Sequence, residues 1–264
     1  MQREAAMIRA HLATFPIRSG ILMQTVQTIL PQVDRLCLCL NQYDAIPAEL
    51  KGDAKIEAMI PERDLKDAGK FAFPPAPDDF VFTIDDDILY PPDYVARTLA
   101  GFDLLDPDDN VLGFQGNAWV YKKQTDESLW RNFLFHKPAQ HITKVDILGT
   151  GTACMLGRNL PVLDEVISAA GFVDLRHARL HARAARSMWI LPREKDEIAS
   201  NMQHAYWRTS LFNSVHRARP PEMQREHRLM MQERTPLSGL KLEQVLKRRA
   251  KAAPAEAGQA GPTA

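Results

Sequence analysis

The segment FVFTIDDDILYPPDYV, residues 80–95, constrains the fold of this chain more than any other. An apolar run of the kind that is buried on both faces of a sheet ends in three consecutive acids, Asp85, Asp86 and Asp87. Adjacent carboxylates repel one another and do not belong in a core. The segment therefore predicts a buried strand that ends at a polar site, and a divalent cation is the first candidate to offset the charge.

Strands and helices alternate along the first half of the chain. Residues 19–30 have helical apolar spacing, for which Ser19 is the expected N-cap, and residues 110–120 indicate one further strand. The alternation predicts an α/β fold, an αβα sandwich with a mostly parallel central sheet. Ligands bind beyond the carboxyl ends of such strands. Thr14, Asn41 and the three aspartates all follow strand ends, so we expect them at one edge.

Charge is unevenly distributed although the formal net charge is zero. Residues 1–175 carry 16 Lys/Arg and 25 Asp/Glu, a net of −9, and residues 176–251 carry 17 and 7, a net of +10. This asymmetry fits a cleft that holds a cation together with an anionic ligand. It fits equally a basic surface that touches membrane or nucleic acid. The basic residues lack interleaved aromatics and any recognisable module, so we expect no nucleic-acid partner.

The chain is predicted to contain one catalytic domain over residues 1–235, a basic C-terminal helix over residues 236–251 and a disordered tail over residues 252–264. The basic helix suits peripheral contact with an anionic inner membrane, and a solvated terminal helix is the alternative. The three cysteines give no disulfide framework, and Cys37 and Cys39 are expected to be buried. Reduced thiols and the absence of a signal sequence or a long apolar run predict a cytoplasmic protein.

A resemblance to bacterial glycosyltransferases of the GT-A fold is carried by six segments: ATFPIR, PQVDRLCLCLN, DLKDAGKF, FTIDDDILYPPDYV, ILGTGTACM and FVDL. It is closest to the family-2-like enzymes that build capsule, lipopolysaccharide or exopolysaccharide, and it covers residues 7–200. The resemblance implies a Rossmann-like fold, a nucleoside-diphosphate sugar as donor, a glycan or lipid-linked acceptor, and inverting transfer.

The resemblance also assigns roles to residues. Asp85 and Asp87 match the Asp-x-Asp motif that holds Mn²⁺ or Mg²⁺ on the donor diphosphate, and Asp86 would face the ribose, the sugar or nearby backbone. His204 is the expected additional metal ligand. The other implied nucleotide-sugar contacts are Thr14, Arg18, Asn41, Asp67, Gly69 and Lys70. The alternatives are a solvated acidic turn for the aspartates and surface positions for Arg18, Lys70 and His204.

Two further segments are assigned to the acceptor side. Asp174, at the start of a predicted helix, is implied to be the base that removes the proton of the acceptor hydroxyl. As an alternative, Asp174 satisfies N–H groups of the first helical turn. The implied acceptor-side loop, where small residues leave room for a sugar, consists of Gly149, Thr150, Gly151 and Thr152.

The helix that begins near Asp174 has a second interpretation. Asp174, His177 and His181 are three and four residues apart and share one helical face, a pattern compatible with Zn²⁺ or Fe²⁺. Arginines alternate with these residues at 179, 183 and 186. The arginines favour a solvent-exposed basic face or ion pairing, with contact to a substrate phosphate or acceptor as a second alternative and a metal site as the last.

Two other functions remain open. Phosphohydrolases of the haloacid-dehalogenase type also carry Asp-x-Asp at a strand end, although normally at the first strand of the chain. A non-catalytic GT-A-like subunit that binds glycan or assembles with other proteins is the second, because the catalytic base rests on Asp174 alone.

Overall fold

The computed structural model describes residues 6–123, 125–209, 215 and 217–252. The strands in these ranges are β1 (Ile8–Thr14), β2 (Arg35–Leu40), β3 (Ile56–Met59), β4 (Phe80–Ile84), β5 (Ile88–Leu89), β6 (Asn110–Gly113), β7 (Gly116–Lys122), β8 (Glu127–Phe133), β9 (Thr143–Val145), β10 (Ile147–Leu148), β11 (Thr152–Leu156), β12 (Ser187–Ile190) and β13 (Ala199–Ser200). The helices are α1 (Ser19–Ile29), α2 (Tyr94–Ala100), α3 (Leu163–Val166), α4 (Val173–Arg183), α5 (Pro221–Glu233) and α6 (Leu242–Ala252).

Eight strands form the central sheet, in the order β3-β2-β1-β4-β11-β6-β12-β9. The first four are mutually parallel. Since β4 and β6 both pair antiparallel with β11, they run in the same direction, and β12 is parallel to β6. Only β11 and β9 run the opposite way within this sheet. The predicted α/β class with a mostly parallel central sheet is confirmed.

Helices cover both faces of this sheet, because side chains of a strand point alternately to either side. Phe82 and Ile84 of β4 pack in the same apolar cluster as α1 and α2. Val81 packs in the other cluster, together with residues of α3, α4 and α5. The apolar character of the whole β4 segment thus follows from its place between two helical layers.

The chain departs from the expected elements in two places near the site. Ser19 is already the first residue of α1, Arg18 occupies the capping position, and no side chain caps this end. The expected single strand over residues 110–120 is two strands, because β7 leaves the central sheet and joins β10 and β8. The backbone N–H groups of Phe114 and Gln115 both donate to Oγ1 of Thr152, which bends the chain between β6 and β7.

The C-terminal helix was expected to begin at residue 236. In the structure it begins at Leu242. Residues before it run along β9, where Lys241 bridges to Thr143, so the chain is still extended there. Val245 of α6 is buried in the core and Leu246 is exposed. The predicted tail lies outside the described residues from position 253 onward. No helix of the described ranges has the length and apolar character required to cross a membrane.

Candidate functional site

A cavity of about 440 Å³ lies at the edge of the sheet where β1, β2 and β4 end. The position follows from the fold, since polar residues after the carboxyl ends of neighbouring parallel strands converge. The sequence-predicted residues that line it are Thr14, Arg18, Asn41, Asp67, Lys70, Asp85, Asp86, Asp87, Thr150 and Asp174. Residues far apart in sequence are therefore brought to one cavity, as expected from their positions after strands.

The three aspartates have different surroundings. The side chain of Asp86 is 3% exposed, accepts a hydrogen bond from Oγ1 of Thr14 at 2.6 Å and pairs with Arg18. Asp85 pairs with Lys70 and keeps 38% of its side-chain surface exposed. Asp87 lies 3.2 Å from Nη1 of Arg18 and is 21% exposed. All three carboxylates line the cavity and pair with a cation of the protein, and the outer two keep the larger exposed surface.

Lys70 and Arg18 are buried cations, so the alternative of surface positions for these residues is wrong. Nζ of Lys70 pairs with Asp85 and lies 3.2 Å from the carbonyl oxygen of Thr150. Burial lowers the pKa of Lys70, but the Asp85 carboxylate more than offsets this effect and holds the pKa above its ordinary value. Both cations therefore remain charged beside the aspartates.

Among the described residues, six carboxylates and three cations line the cavity, so negative charge is in excess there. Burial, followed by the charges of Asp85 and Asp86, raises the pKa of Asp87 to about 7. Burial raises the pKa of Asp67 to about 6, although two backbone N–H groups and Lys70 oppose the change. Such an excess of carboxylates favours binding of a cation.

Asn41 and Asp67 hold the loops around the cavity. Asn41 accepts a hydrogen bond from the N–H of Leu65 at 2.8 Å and donates to the carbonyl of Lys66 at 3.1 Å. Asp67 accepts hydrogen bonds from the N–H groups of residues 171 and 173, the latter at 3.2 Å, and so connects the 66–71 turn to the start of α4. Both side chains therefore have a structural role in addition to lining the site.

Gly69 lies outside the cavity lining. A Cβ at this position would stand 2.6 Å from Sγ of Cys39, so glycine is needed for close packing of the turn on β2. Gly69 was an implied nucleotide-sugar contact, but the close approach that its missing side chain allows is to Cys39 of β2.

Residues 149–152 have two kinds of contact: some approach the aspartates of the cavity, and others bind the surrounding backbone. Oγ1 and N of Thr150 donate to Oδ1 of Asp174 at 2.6 and 2.8 Å. A Cβ on Gly151 would meet Oδ2 of Asp85 at 2.2 Å. Thr152 is fully buried, and Gly149 donates its N–H to the carbonyl of Gln115. Thr150 and Gly151 of the expected acceptor-side loop thus approach the aspartates of the site, whereas Gly149 and Thr152 bind the backbone of Gln115.

Asp174 is in the first turn of α4 and lines the cavity. Both of its hydrogen bonds within the described residues fall on Oδ1. Oδ2 has no hydrogen-bond partner in that part of the chain, which suits a group that accepts a proton.

His204 is exposed in a short 3₁₀ turn and does not line the cavity. The end of the same turn does reach the site, where Thr209 accepts a hydrogen bond from Nε of Arg18 at 3.3 Å. No group of three His, Cys, Asp or Glu side chains in the described ranges is arranged to hold a metal. The cation donors that fit are the two outer aspartates, in keeping with Mg²⁺, which often takes one or two carboxylates together with phosphate oxygens and water.

A solvent-exposed face is wrong for His177 and His181, whereas the expected ion pairing is present at the arginines of the same helix. Both rings are buried, and their Nε2 atoms lie 3.1 Å apart. The arginines of α4 are on the side that faces α5, where Arg176 and Arg179 pair with Glu226. The helix turns its histidines toward Phe71 because the arginines have carboxylate partners on the other side.

Several lining residues were missed by the sequence analysis: Phe15, Asp64, Lys66, Gln115, Phe135, Phe172 and Thr209. Asp64 and Lys66 closely precede the predicted Asp67, so their closeness to it in sequence could have indicated that they also line the cavity. Gln115 follows β6 and Phe135 follows β8, and no motif marks either residue. Tyr90 was also missed, although its hydroxyl donates to the carbonyl of Gly151 at 2.7 Å and accepts from the N–H of Asp85.

Comparison with known proteins gives no family for this chain, since no family model and no curated protein matches it.

Proposed function

We propose that this protein is a metal-dependent glycosyltransferase of the GT-A type. It would move a sugar from a nucleoside diphosphate to a glycan or lipid-linked acceptor in bacterial surface polysaccharide synthesis, with inversion. The observation that carries the proposal is the pair of open carboxylates, Asp85 and Asp87, at the end of a buried parallel strand and beside two buried cations. A site with both signs of charge suits a cation and a diphosphate bound together.

The donor side of the site divides into metal and phosphate contacts. Asp85 and Asp87 would hold Mn²⁺ or Mg²⁺, which stabilises the negative charge of the leaving diphosphate when it is bound. Lys70 offers a point charge, and Arg18 offers a planar set of N–H donors. Because each cation already contacts an aspartate, both are positioned before a ligand arrives.

Asp174 would act on the acceptor. Its Oδ1 is held by Thr150, which fixes the carboxylate, while Oδ2 accepts the proton of the acceptor hydroxyl. The acceptor oxygen forms a bond to the anomeric carbon as the bond from that carbon to the diphosphate oxygen breaks. The proton ends on Asp174, and the electron pair of the broken bond ends on the diphosphate.

The decisive experiment measures binding of UDP and GDP to the full chain by calorimetry, with and without Mn²⁺. We expect Mn²⁺ to strengthen binding of one nucleotide in the wild type, and Asp87→Ala to remove this enhancement. Asp93→Ala is the matched control, because Asp93 is exposed and lies outside the cavity lining. Metal-independent binding that Asp87→Ala retains would refute the assigned role.

Activity separates the alternatives. Transfer or slow hydrolysis of a donor sugar, lost in Asp174→Asn while nucleotide binding persists, is expected of the proposed enzyme. Donor binding without either reaction indicates a non-catalytic subunit. Metal-dependent hydrolysis of an aryl phosphate indicates a phosphohydrolase instead, although Asp85 follows the fourth strand of the chain and not the first.

A further inference from the structure

A second cavity, of about 450 Å³, lies at the opposite edge of the central sheet. Ser187, the first residue of β12, lines it, whereas Asp85 follows the last residue of β4. The two strands run in the same direction, so these residues belong to opposite edges. Among the residues that the structure describes, none lines both cavities.

The charged residues that line this second cavity are basic, among apolar neighbours such as Pro236 and Leu237. Lys144 of β9 and Arg248 and Arg249 of α6 line it, together with the hydroxyl-bearing Ser187 and Thr235. Within the described ranges no carboxylate is among the lining residues. Three cations that converge without an acid repel one another, and this arrangement favours an anionic ligand.

Lys144 gives the second, independent observation. The residue is only 1% exposed, and its Nζ donates to the carbonyl oxygen of Pro236 at 2.7 Å. An ammonium group has three N–H donors, so this bond leaves others for a ligand. Burial and the neighbouring Arg249 lower the pKa of Lys144 to about 8, and nearby Asp146 only partly opposes them.

The Asp146 carboxylate is bound elsewhere. Its Oδ2 accepts hydrogen bonds from the N–H of Trp119 and the hydroxyl of Ser238, both at 2.6 Å. Its Oδ1 lies 3.5 Å from Arg234. A buried cation without a paired carboxylate is costly, and a bound anion would offset that cost.

We propose that this second cavity binds a phosphate group, carried either by a free phosphate compound or by a lipid headgroup. Lys144 supplies a point charge, and the guanidinium groups of Arg248 and Arg249 supply paired donors that match phosphate oxygens. Arg249 is already oriented, because Nη2 donates to Oγ of Ser187 at 3.0 Å. The inference does not depend on the proposed function of the first cavity.

The test uses the full chain without divalent metal, titrated with inorganic phosphate at constant ionic strength. Arg248→Gln and Arg249→Gln are the variants, because both side chains are exposed and their loss leaves the core intact. Lys247→Gln is the matched control, since it removes one exposed charge of the same helix outside the cavity. Circular dichroism checks that each variant is folded.

We expect saturable phosphate binding that Arg249→Gln weakens by about tenfold, or about 1.4 kcal/mol, while Lys247→Gln leaves it unchanged. A second titration uses vesicles of phosphatidylcholine with and without phosphatidic acid. Vesicle binding that requires phosphatidic acid and is lost in Arg248→Gln and Arg249→Gln, but not in Lys247→Gln, identifies a lipid headgroup as the source. The proposal is overturned if neither probe binds, or if Lys247→Gln weakens binding as much as the cavity variants.

Discussion

The three consecutive aspartates of this site have different surroundings because their side chains are buried to different extents. Asp86 is enclosed by Thr14 and Arg18, whereas Asp85 and Asp87 retain open surface. A buried carboxylate needs its charge satisfied by the protein, and Asp86 obtains this from Arg18. Asp86 therefore positions Arg18, and the outer pair keeps surface exposed to the cavity.

Gly151→Ala should impair the site without unfolding the protein. The added Cβ would stand 2.2 Å from Oδ2 of Asp85 and displace that carboxylate. We expect Mn²⁺-dependent nucleotide binding to weaken by about tenfold or more, or about 1.4 kcal/mol, measured by calorimetry. Gly149→Ala is the control, because its Cβ would meet only the Gln115 side chain, at 3.3 Å. Equal effects of the two substitutions would contradict the role of Asp85.

Asp87→Asn should remove a pH-dependent loss of stability. The pKa of Asp87 is raised from 3.8 to about 7 on folding, first by burial and then by Asp85 and Asp86. Such a group stabilises the fold below its unfolded pKa, and this contribution is lost as pH rises through the folded pKa. Because of Asp87, the wild type therefore loses stability as pH rises from 3.8 to about 7. The variant lacks this loss.

Chemical unfolding at a series of pH values, without divalent metal, measures this difference. The free energy of unfolding of Asp87→Asn, relative to that of the wild type, should increase as pH rises. Asp93→Asn controls for the loss of an exposed carboxylate. A difference between Asp87→Asn and wild type that stays constant with pH would show that Asp87 titrates normally.

At the level of elements, α4 connects the site to the rest of the protein. Its first turn brings Asp174 to the cavity, its buried face carries the two histidines, and its outer face pairs with α5. The position of Asp174 therefore depends on how α4 is held from both sides.

Glu226→Ala should weaken this docking. Glu226 is buried in α5 and accepts hydrogen bonds from Arg176 at 2.7 Å and Arg179 at 2.8 Å. Removing one partner of a buried ion pair costs about 3 kcal/mol, because the remaining charges lose their compensation. The free energy of unfolding should fall by about that amount in denaturant titrations. Glu222→Ala, at an exposed position of the same helix, should change it little; similar losses would argue against the ion pairs.

His181→Leu should reduce the sensitivity of the protein to acid. Burial, then His177 and Arg186, lower the pKa of His181 well below 6.5. The unfolded chain therefore takes up a proton near pH 6.5 and the folded one does not, so stability is lost as pH falls below 6.5. The melting temperature should be measured at one pH above 6.5 and at one pH below it. Its decrease between the two should be smaller in the variant than in the wild type. The exposed His204→Leu should follow the wild type, and an unchanged acid response of His181→Leu would contradict the prediction.

On the scale of the whole molecule, the sheet separates two sites of opposite charge. The acidic cavity lies where β4 ends, and the basic cavity lies where β12 begins. Among the described residues, α6 supplies Arg248 and Arg249 to the second cavity, and β9 supplies Lys144.

The two cavities should behave independently. Distant sites without shared partners have effects that add within about 0.5 kcal/mol. The double variant Gly151→Ala with Arg249→Gln should therefore change the free energy of unfolding by the sum of the single changes, measured in denaturant. Arg249→Gln alone should leave nucleotide binding at the first cavity unaltered. A clear departure from additivity would reveal coupling through the sheet.

Much of the fold and part of the site were predictable because they depend on local patterns. Apolar runs defined β1, β2 and β4, and the acids at the end of β4 marked the edge at which the cavity lies. The burial of His177 was not predictable from its helix, because α5, about 50 residues away in sequence, decides which face of α4 is covered. Thr152 was assigned to the acceptor loop, but its hydroxyl holds the bend after β6.

The amino-acid sequence by itself determined which segments are buried strands and which polar residues follow them, since hydrophobic periodicity and strand ends are local properties. The tertiary structure alone decided which of these polar groups are satisfied by the protein and which remain open. Asp86 and Asp87 are neighbours with the same side chain and both contact Arg18, yet Asp86 also accepts a hydrogen bond from Thr14 and is 3% exposed, against 21% for Asp87. The cost of burying a charge depends on partners brought from elsewhere in the chain, and these partners are set only when the sheet has formed.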